Sequence, residues 1–192
     1  MWVVTDMKWL TGWVLGVFFW VGAAGCAWGS PFQNRWLLID TAARELAVME
    51  GDEPVRVFER IAIGRGGVTQ SKVTKDHKTP LGEFYITEIR KSGTFQTFMQ
   101  LSYPNLSHAR AAHDAGAISD EEFWAVEYAG LHGLVPPQNT RLGGQIGIHG
   151  VGRGDLRIHR QFDWTQGCIA LTNEQIAQLQ SLIAVGARVL IR

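Results

Sequence analysis

The chain has 192 residues, enough for one domain with a real hydrophobic core plus a short additional segment. Its 18 Lys and Arg residues balance 18 Asp and Glu residues, so no bulk positive charge indicates a nucleic-acid partner and no polybasic run indicates an anionic membrane surface. The 22 glycines and 8 tryptophans favour a fold rich in turns and strands.

The first 30 residues are predicted to be a separable segment. From Trp9 to Gly29 there is no charged residue, Lys8 precedes the stretch and small residues end it, which is the layout of a secretory signal. About 20 apolar residues can also span a bilayer, and Cys26 follows small residues as in a bacterial lipoprotein processing site. We therefore expect residues 1–30 to be a signal peptide or an N-terminal membrane or lipid anchor. The protein is then exported to the periplasm or cell envelope and contacts a membrane only through this segment.

Strands are predicted to open the remaining chain. Arg35–Asp40 and Glu45–Glu50 have strand composition, and hairpin residues then lead to a third strand over Val55–Ile63. Residues 64–67 are glycine-rich but no helical pattern follows them, so a loop is expected there and not a phosphate cradle. A fourth strand is predicted over Glu83–Ile89.

Helices are predicted in the second half of the chain. Two short helices are expected between Asn105 and Gly130, the second with Ser119 as its N-cap, and they form an inserted flap or wall. The remaining predicted elements are an irregular loop over 131–144, a buried strand over Gln145–Ile148, a helix after Thr172 and a closing strand over Ala187–Ile191.

A cysteine and a histidine provide the strongest chemical signal. His149 directly follows the predicted buried strand, and Cys168 follows 19 positions later in the segment TQGCIAL. A free thiol with a pKa of about 8.5 is only slightly ionised at neutral pH, so a nucleophilic cysteine needs a nearby imidazole or local dipoles. Gly167 allows a sharp turn and close approach of the backbone to a substrate.

The cysteine and the histidine could instead be structural residues without a catalytic role. A lone cysteine in apolar surroundings is usually an inert core residue, and spacing alone does not prove contact in space. If the leader is removed or Cys26 is acylated, however, Cys168 is left as an unpaired thiol in an oxidising compartment. An exported protein that retains such a thiol favours a catalytic explanation.

Several motifs together resemble the bacterial L,D-transpeptidase catalytic domain, the YkuD family, in its ErfK/YbiS-like branch. The resemblance runs from about Trp36 to the C-terminus, and it implies a catalytic domain over 35–192. The implied fold is mainly β with helices (α+β), a YkuD-like β-sandwich core with short inserted helices and a helix after the cysteine. The motifs that carry it are LID at 38–40, IGRGG at 63–67, TPLGEF at 79–84, GQIGIHG at 144–150 and TQGCIALTN at 165–173.

The resemblance also implies roles for individual residues. Cys168 attacks the third-residue carbonyl of a peptidoglycan tetrapeptide stem and expels the terminal D-alanine, while His149 acts as base and acid. The Gly150 carbonyl orients His149, and the Gly167 and Cys168 N–H groups stabilise the oxyanion. The thioester is then resolved by an amine of a second stem, giving a 3→3 crosslink, or by an envelope lipoprotein lysine. Neither a cofactor nor a metal is implied.

The chain departs from many relatives at Gln166 and Ala170, where a His and an Arg are common, so other groups must supply any charge needed there. The candidates for substrate binding, most of them expected in a loop between base and nucleophile, are Arg153, Arg157, His159, Arg160 and Thr165. His132 repeats the His-Gly dipeptide without a buried strand before it. His77, His108 and His113 are expected to be surface residues.

Two alternatives to the transferase remain. On the same scaffold, water could resolve the thioester, which would make the protein an L,D-carboxypeptidase or amidase. From a different class, the chain could be a non-catalytic cell-wall-binding module that uses an aromatic groove. The composition and motifs do not separate these possibilities.

Overall fold

The computed structural model describes residues 34–192. The predicted leader and Cys26 lie outside these residues, so the expectation for that segment stays a prediction. Within the described part, no helix is long and apolar enough to cross a membrane. In chain order the elements are β1 (Arg35–Asp40), β2 (Glu45–Glu50), β3 (Glu53–Glu59), β4 (Val68–Thr69), β5 (Thr79–Pro80), β6 (Gly82–Ser92), β7 (Gln96–Leu101), α1 (Leu106–Asp114), α2 (Asp120–Leu131), β8 (Gly147–Gly150), α3 (Leu156–Gln161), β9 (Ile169–Leu171), α4 (Asn173–Gln180) and β10 (Arg188–Ile191).

A mixed sheet dominates the fold and confirms the predicted α+β class. Eight strands are hydrogen-bonded in the order β3-β2-β1-β10-β6-β7-β8-β9, while β4 and β5 form a separate parallel pair. The long strand β6 pairs with β10 through its first residues and with β7 through its remainder, and its register shifts between Ile86 and Glu88. Because such an irregularity bends a strand, β6 joins the two halves of the sheet.

The hydrophobic core extends through both halves of this sheet. Leu37 and Ile39 of β1 face it from one half, and Met99 of β7 and Ile148 of β8 from the other, all with no exposed surface. Burying one such side chain contributes about 1.5–3 kcal/mol, so packing on these strands holds β8 and β9 in place.

The third strand ends earlier than the sequence predicted. β3 stops at Glu59 because Arg60 has a positive φ of 59°, which β geometry does not allow. The segment after it turns toward the end of the sheet, where Ala62 exchanges two backbone hydrogen bonds with Ala170, of 3.0 and 2.8 Å. Part of the predicted strand thus becomes a support for β9.

Two elements near the site were not predicted. The strand β7 lies between β6 and β8, and because nearly all its residues are buried its sequence lacks the polar and apolar alternation of a half-exposed strand. Helix α3 was expected to be loop. It is only six residues long and begins after Asp155, whose side chain accepts a hydrogen bond from the Arg157 N–H.

The predicted helix caps are confirmed. Ser119 and Glu122 form a reciprocal capping box at the start of α2, and Thr172 and Gln175 form one at the start of α4. The second cap fixes where α4 begins, directly after β9, so a rigid helix follows the short strand that comes after Cys168.

Candidate active site

Strand pairing brings the two candidate catalytic residues to the same place. β8 and β9 are parallel neighbours, with Ile148 opposite Ile169 and His149 opposite Ala170. Extending this register by one residue places Cys168 beside Gly147. Since side chains two positions apart face the same side of a strand, His149 and Cys168 are diagonal neighbours on one face.

Both side chains line a large cleft of about 1180 Å³. The two segments that form its polar wall, 72–77 and 138–146, are joined by a hydrogen bond of 2.8 Å from the Thr74 N–H to the Arg141 carbonyl. Among the described residues that line it, one has a carboxylate, Glu122, and four have a basic side chain, Lys72, Lys75, Arg90 and Arg141. The cleft is therefore cationic although the whole chain carries no net charge.

The hydrogen bond of His149 determines which ring nitrogen is the base in the neutral imidazole. Its Nδ1 lies 2.8 Å from the Gly150 carbonyl oxygen, and because a carbonyl can only accept, Nδ1 carries the proton and Nε2 is free to accept one. The ring is 3% exposed, and its centroid lies 4.3 Å from that of Phe95 and 5.8 Å from that of Trp164. Burial lowers the pKa of His149, the Gly150 hydrogen bond opposes the shift, and the nearby His159 adds to it.

Cys168 is held as a neutral thiol. It is partly exposed at the cleft, and its Sγ donates to the Gln145 carbonyl oxygen at 3.3 Å. Burial of the sulfur raises the pKa of Cys168 to about 11, against a backbone hydrogen bond from Gly147 and the positive charge of Lys72. At neutral pH the thiol proton must therefore be removed as the sulfur reacts, which requires a base.

A tight turn presents the thiol to the cleft. Thr165 Oγ1 donates to the Cys168 carbonyl at 2.6 Å and accepts from the Gly167 N–H at 3.1 Å. Gly167 has a φ of 127°, and a β-carbon placed on it would lie 2.6 Å from the Lys78 carbonyl oxygen. Both the backbone conformation and the available space therefore require glycine immediately before the cysteine.

Lys72 is a site residue that sequence analysis missed. Its side chain is 4% exposed, lines the cleft and donates to Asp76 Oδ1 at 2.6 Å. The Asp76 carboxylate also accepts from the N–H groups of Val73 and Lys78, both at 2.9 Å. The four-residue spacing of Lys72 and Asp76 was visible, but without a helical pattern it gave no signal that the lysine is buried.

Comparison with protein families identifies the domain. Residues 34–191 match the L,D-transpeptidase catalytic domain. The chain belongs to this family. The match confirms the resemblance recognised in the motifs, and no curated protein matches the chain at a significant level.

Solved structures agree on the fold. The helical cell shape determining protein Pgp2 from Campylobacter jejuni is 20% identical, with a TM-score of 0.57 over 82% of this chain and 47% of its own. Bdellovibrio bacteriovorus Bd1075 is also 20% identical, with a TM-score of 0.51 over 84% of this chain and 48% of its own. This member of the L,D-transpeptidase family thus spans about half the length of these relatives.

The three candidate arginines do not line the cleft of this family member. Arg153, Arg157 and Arg160 are exposed, and the last two lie in α3 and not in the expected loop. The Arg157 guanidinium pairs with Asp155 at 3.0 Å. Any contact of these arginines with a substrate stays a prediction, and would need a ligand that extends beyond the cleft.

His159 does not line the cleft but bonds to Trp164, which does. It is 3% exposed and outside the lining, and its Nδ1 accepts from the Trp164 indole N–H at 3.3 Å. Burial, followed by the charge of Arg160, lowers the pKa of His159. A neutral His159 can accept this bond, which orients the indole that covers His149. Thr165, by contrast, lines the cleft but uses its hydroxyl within the turn.

One expectation for the remaining histidines is wrong. His108 was expected at the surface but is 7% exposed, because it packs on Phe84 with ring centroids 5.4 Å apart and bonds to the Leu81 carbonyl at 3.0 Å. His113 pairs with Asp120 at 2.7 Å. Within residues 34–192, no three His, Cys, Asp or Glu side chains are grouped so that they could hold a metal ion.

Proposed function

We propose that this chain is a peptidoglycan L,D-transpeptidase with Cys168 as nucleophile and His149 as base. The observation that carries the proposal is the shared face of β8 and β9: a thiol and an imidazole with a free Nε2 lie on it as diagonal neighbours and open into one cleft. Family membership supplies the reaction class. Peptidoglycan stem peptides are the proposed donors.

The acylation step needs only these two side chains and the substrate. As Sγ of Cys168 attacks the third-residue carbonyl carbon of a tetrapeptide stem, His149 Nε2 takes the thiol proton and an S–C bond forms. The C–N bond to the terminal D-alanine then breaks, and the imidazolium returns the proton to the leaving amine. In transfer, an acceptor amine forms a new C–N bond, the S–C bond breaks, and the sulfur regains a proton through His149.

Backbone groups at the nucleophile turn are the proposed oxyanion donors. We expect the Gly167 and Cys168 N–H groups to bind the oxygen of the attacked carbonyl, and loss of one such donor typically costs about 10²–10³ in rate. The Gly167 N–H is bonded to Thr165 Oγ1. That donor must therefore be shared between the hydroxyl and the oxyanion during the reaction.

The proposed setting is the bacterial envelope. An acceptor amine from a second stem gives a 3→3 crosslink, and a lipoprotein lysine gives a protein anchor. Pgp2, which shares the fold, is described as a helical cell shape determining protein, and a role in cell shape is the corresponding proposal for this chain. Residues 1–30 provide the route to the envelope as a signal or anchor.

Purified tetrapeptide muropeptides test the proposal. The wild type should release D-alanine, form 3→3 dimers and show a transient mass increase on Cys168, whereas Cys168→Ala should do none of these and keep the same circular dichroism spectrum. D-alanine release without dimers would identify water as the acceptor and favour the carboxypeptidase. A folded wild type that neither releases D-alanine nor becomes acylated would favour the binding module.

A further inference from the structure

We propose that Lys72 binds the free C-terminal carboxylate of the residue that is expelled in acylation. The site would then select stems that end in a free acid directly after the scissile bond. This inference rests on the proposed function and adds to it the group that recognises the leaving residue. Lys72 was not among the residues that the sequence predicted to bind the substrate.

Lys72 lies against the turn that carries the nucleophile. A β-carbon placed on Gly167, the residue before the nucleophile, would lie 3.3 Å from Lys72 Nζ. The ammonium therefore sits at the base of the turn that presents the thiol, on the wall of the same cleft.

The leaving residue of a stem peptide carries its carboxylate close to the carbon under attack. In a tetrapeptide stem the terminal carboxylate follows the scissile carbonyl by one residue, so its oxygens lie within about 5 Å of the carbon under attack. A group that binds this carboxylate must be close to the sulfur. The exposed arginines of α3 and its neighbouring turn do not line the cleft and cannot be the nearest such group.

The ion pair with Asp76 holds the Lys72 ammonium in a position to bind a ligand. An ammonium has three N–H donors, and Asp76 Oδ1 takes one of them, which fixes the side chain while leaving donors for a ligand. The Asp76 carboxylate is held in turn by the N–H groups of Val73 and Lys78. Lys72 is thus a charged, oriented group with little conformational freedom to lose on binding.

The charge of the surrounding cleft favours the arrival of an anion. A second carboxylate beside the Lys72–Asp76 pair would leave a local excess of negative charge, which is unfavourable in isolation. Within residues 34–192, the cleft offsets this with Lys75, Arg90 and Arg141 against one lining carboxylate, that of Glu122. These more exposed cations attract the substrate, while the buried Lys72 discriminates between its end groups.

The test compares two donors that differ only at the C-terminus. One is a tetrapeptide stem ending in D-alanine, and the other is the same peptide ending in D-alaninamide. For each, kcat/KM for release of the terminal residue is measured with the wild type, with Lys72→Met, and with Lys75→Met as the matched control. Lys75 lines the same cleft and is exposed, so its loss removes the same charge without touching the buried pair.

The wild type should prefer the acid by about tenfold to a hundredfold, the range expected for a buried charge-assisted hydrogen bond. Lys72→Met should bring the acid-to-amide ratio close to one, whereas Lys75→Met, which removes a more exposed and better screened charge, should change the ratio much less. A wild type that uses both peptides equally well overturns the inference, and this comparison stands even if Lys72→Met does not fold. A Lys72→Met enzyme that keeps the wild-type acid-to-amide ratio also overturns the inference. If neither peptide acylates Cys168, the proposed function itself fails.

Discussion

The Thr165 hydroxyl closes the turn that carries Cys168. It donates to the Cys168 carbonyl at 2.6 Å, and the same oxygen accepts from the Gly167 N–H at 3.1 Å. Thr165 is 3% exposed, so water does not replace these bonds if the hydroxyl is lost. Its role in this structure is to hold the shape of the turn.

Thr165→Val should therefore destabilise the protein while Thr165→Ser should not. Valine keeps the shape but removes both bonds, and an unpaired buried polar group costs about 1–3 kcal/mol. We expect a loss of about 2 kcal/mol in the free energy of unfolding, measured by denaturant titration, and slower acylation of Cys168. Serine keeps the hydroxyl and serves as the control. Equal stability of the two variants would contradict this account of the turn.

The protonation state of Cys168 makes a prediction for its reactivity. Burial raises the pKa of Cys168 to about 11, and alkylation by iodoacetamide requires the thiolate. The rate at pH 7.5 should be about three hundredfold below that of an ordinary cysteine with a pKa of about 8.5, and it should rise about tenfold per pH unit up to pH 10. Mass spectrometry of the peptide that contains Cys168 measures this rate. A rate that is already constant above pH 7 would instead indicate a preformed thiolate–imidazolium pair.

The sequence predicted the site best where local chemistry determines structure. A Ser-x-x-Glu pattern at Ser119 and a Thr-x-x-Gln pattern at Thr172 gave the caps of α2 and α4, because a capping box depends on residues three positions apart. The family motifs then indicated that Cys168 and His149 belong together. Pairing of β8 with β9 supplies the geometry, and no local pattern in the sequence contains it.

Other parts of the site depend on contacts between distant segments. Lys72 is buried only because the segment 72–77 folds against the turn at Gly167, 95 positions later, and nothing in its own neighbourhood signals this. The strand β7 shows no alternation because both of its faces are covered. Likewise, Arg157 and Arg160 looked available for a substrate, but α3 turns them to solvent.

Gly167→Ala should damage both folding and activity. Alanine would be forced to a φ of 127° and its β-carbon would lie 2.6 Å from the Lys78 carbonyl oxygen, so the turn must move. Strain of this kind costs about 1–3 kcal/mol from the backbone conformation alone, before the clash is counted. We expect a loss of stability at the upper end of this range or beyond it, together with loss of Cys168 acylation.

Gly116→Ala separates the two causes. Gly116 has a positive φ of 66°, and a β-carbon there would meet nothing within 4 Å, so this variant reports the effect of conformation without a clash. Its loss of stability should be about 1 kcal/mol, with acylation unchanged. If thermal unfolding showed Gly167→Ala to be no more destabilising than Gly116→Ala, that result would contradict the close packing described for the nucleophile turn.

Trp164 should set the pH at which His149 becomes an active base. The indole stands edge-on to the imidazole, with centroids 5.8 Å apart, and helps to exclude water from it. Burial lowers the pKa of His149, and the neutral ring is the form that accepts the thiol proton, so activity should fall as the pH drops through that pKa. Trp164→Ala admits water, which should raise the pKa and move the acidic limb of the kcat/KM profile to higher pH.

The control for this shift is Phe162→Ala. Phe162 follows α3, is 62% exposed and does not line the cleft, so its removal deletes a nearby aromatic ring without opening His149 to solvent. Its acidic limb should coincide with that of the wild type, whereas the limb of Trp164→Ala should lie closer to the ordinary histidine pKa of about 6.5. A Trp164→Ala profile that keeps the wild-type limb would show that the backbone bond to Gly150 and burial against Phe95 set the pKa of His149 without the indole.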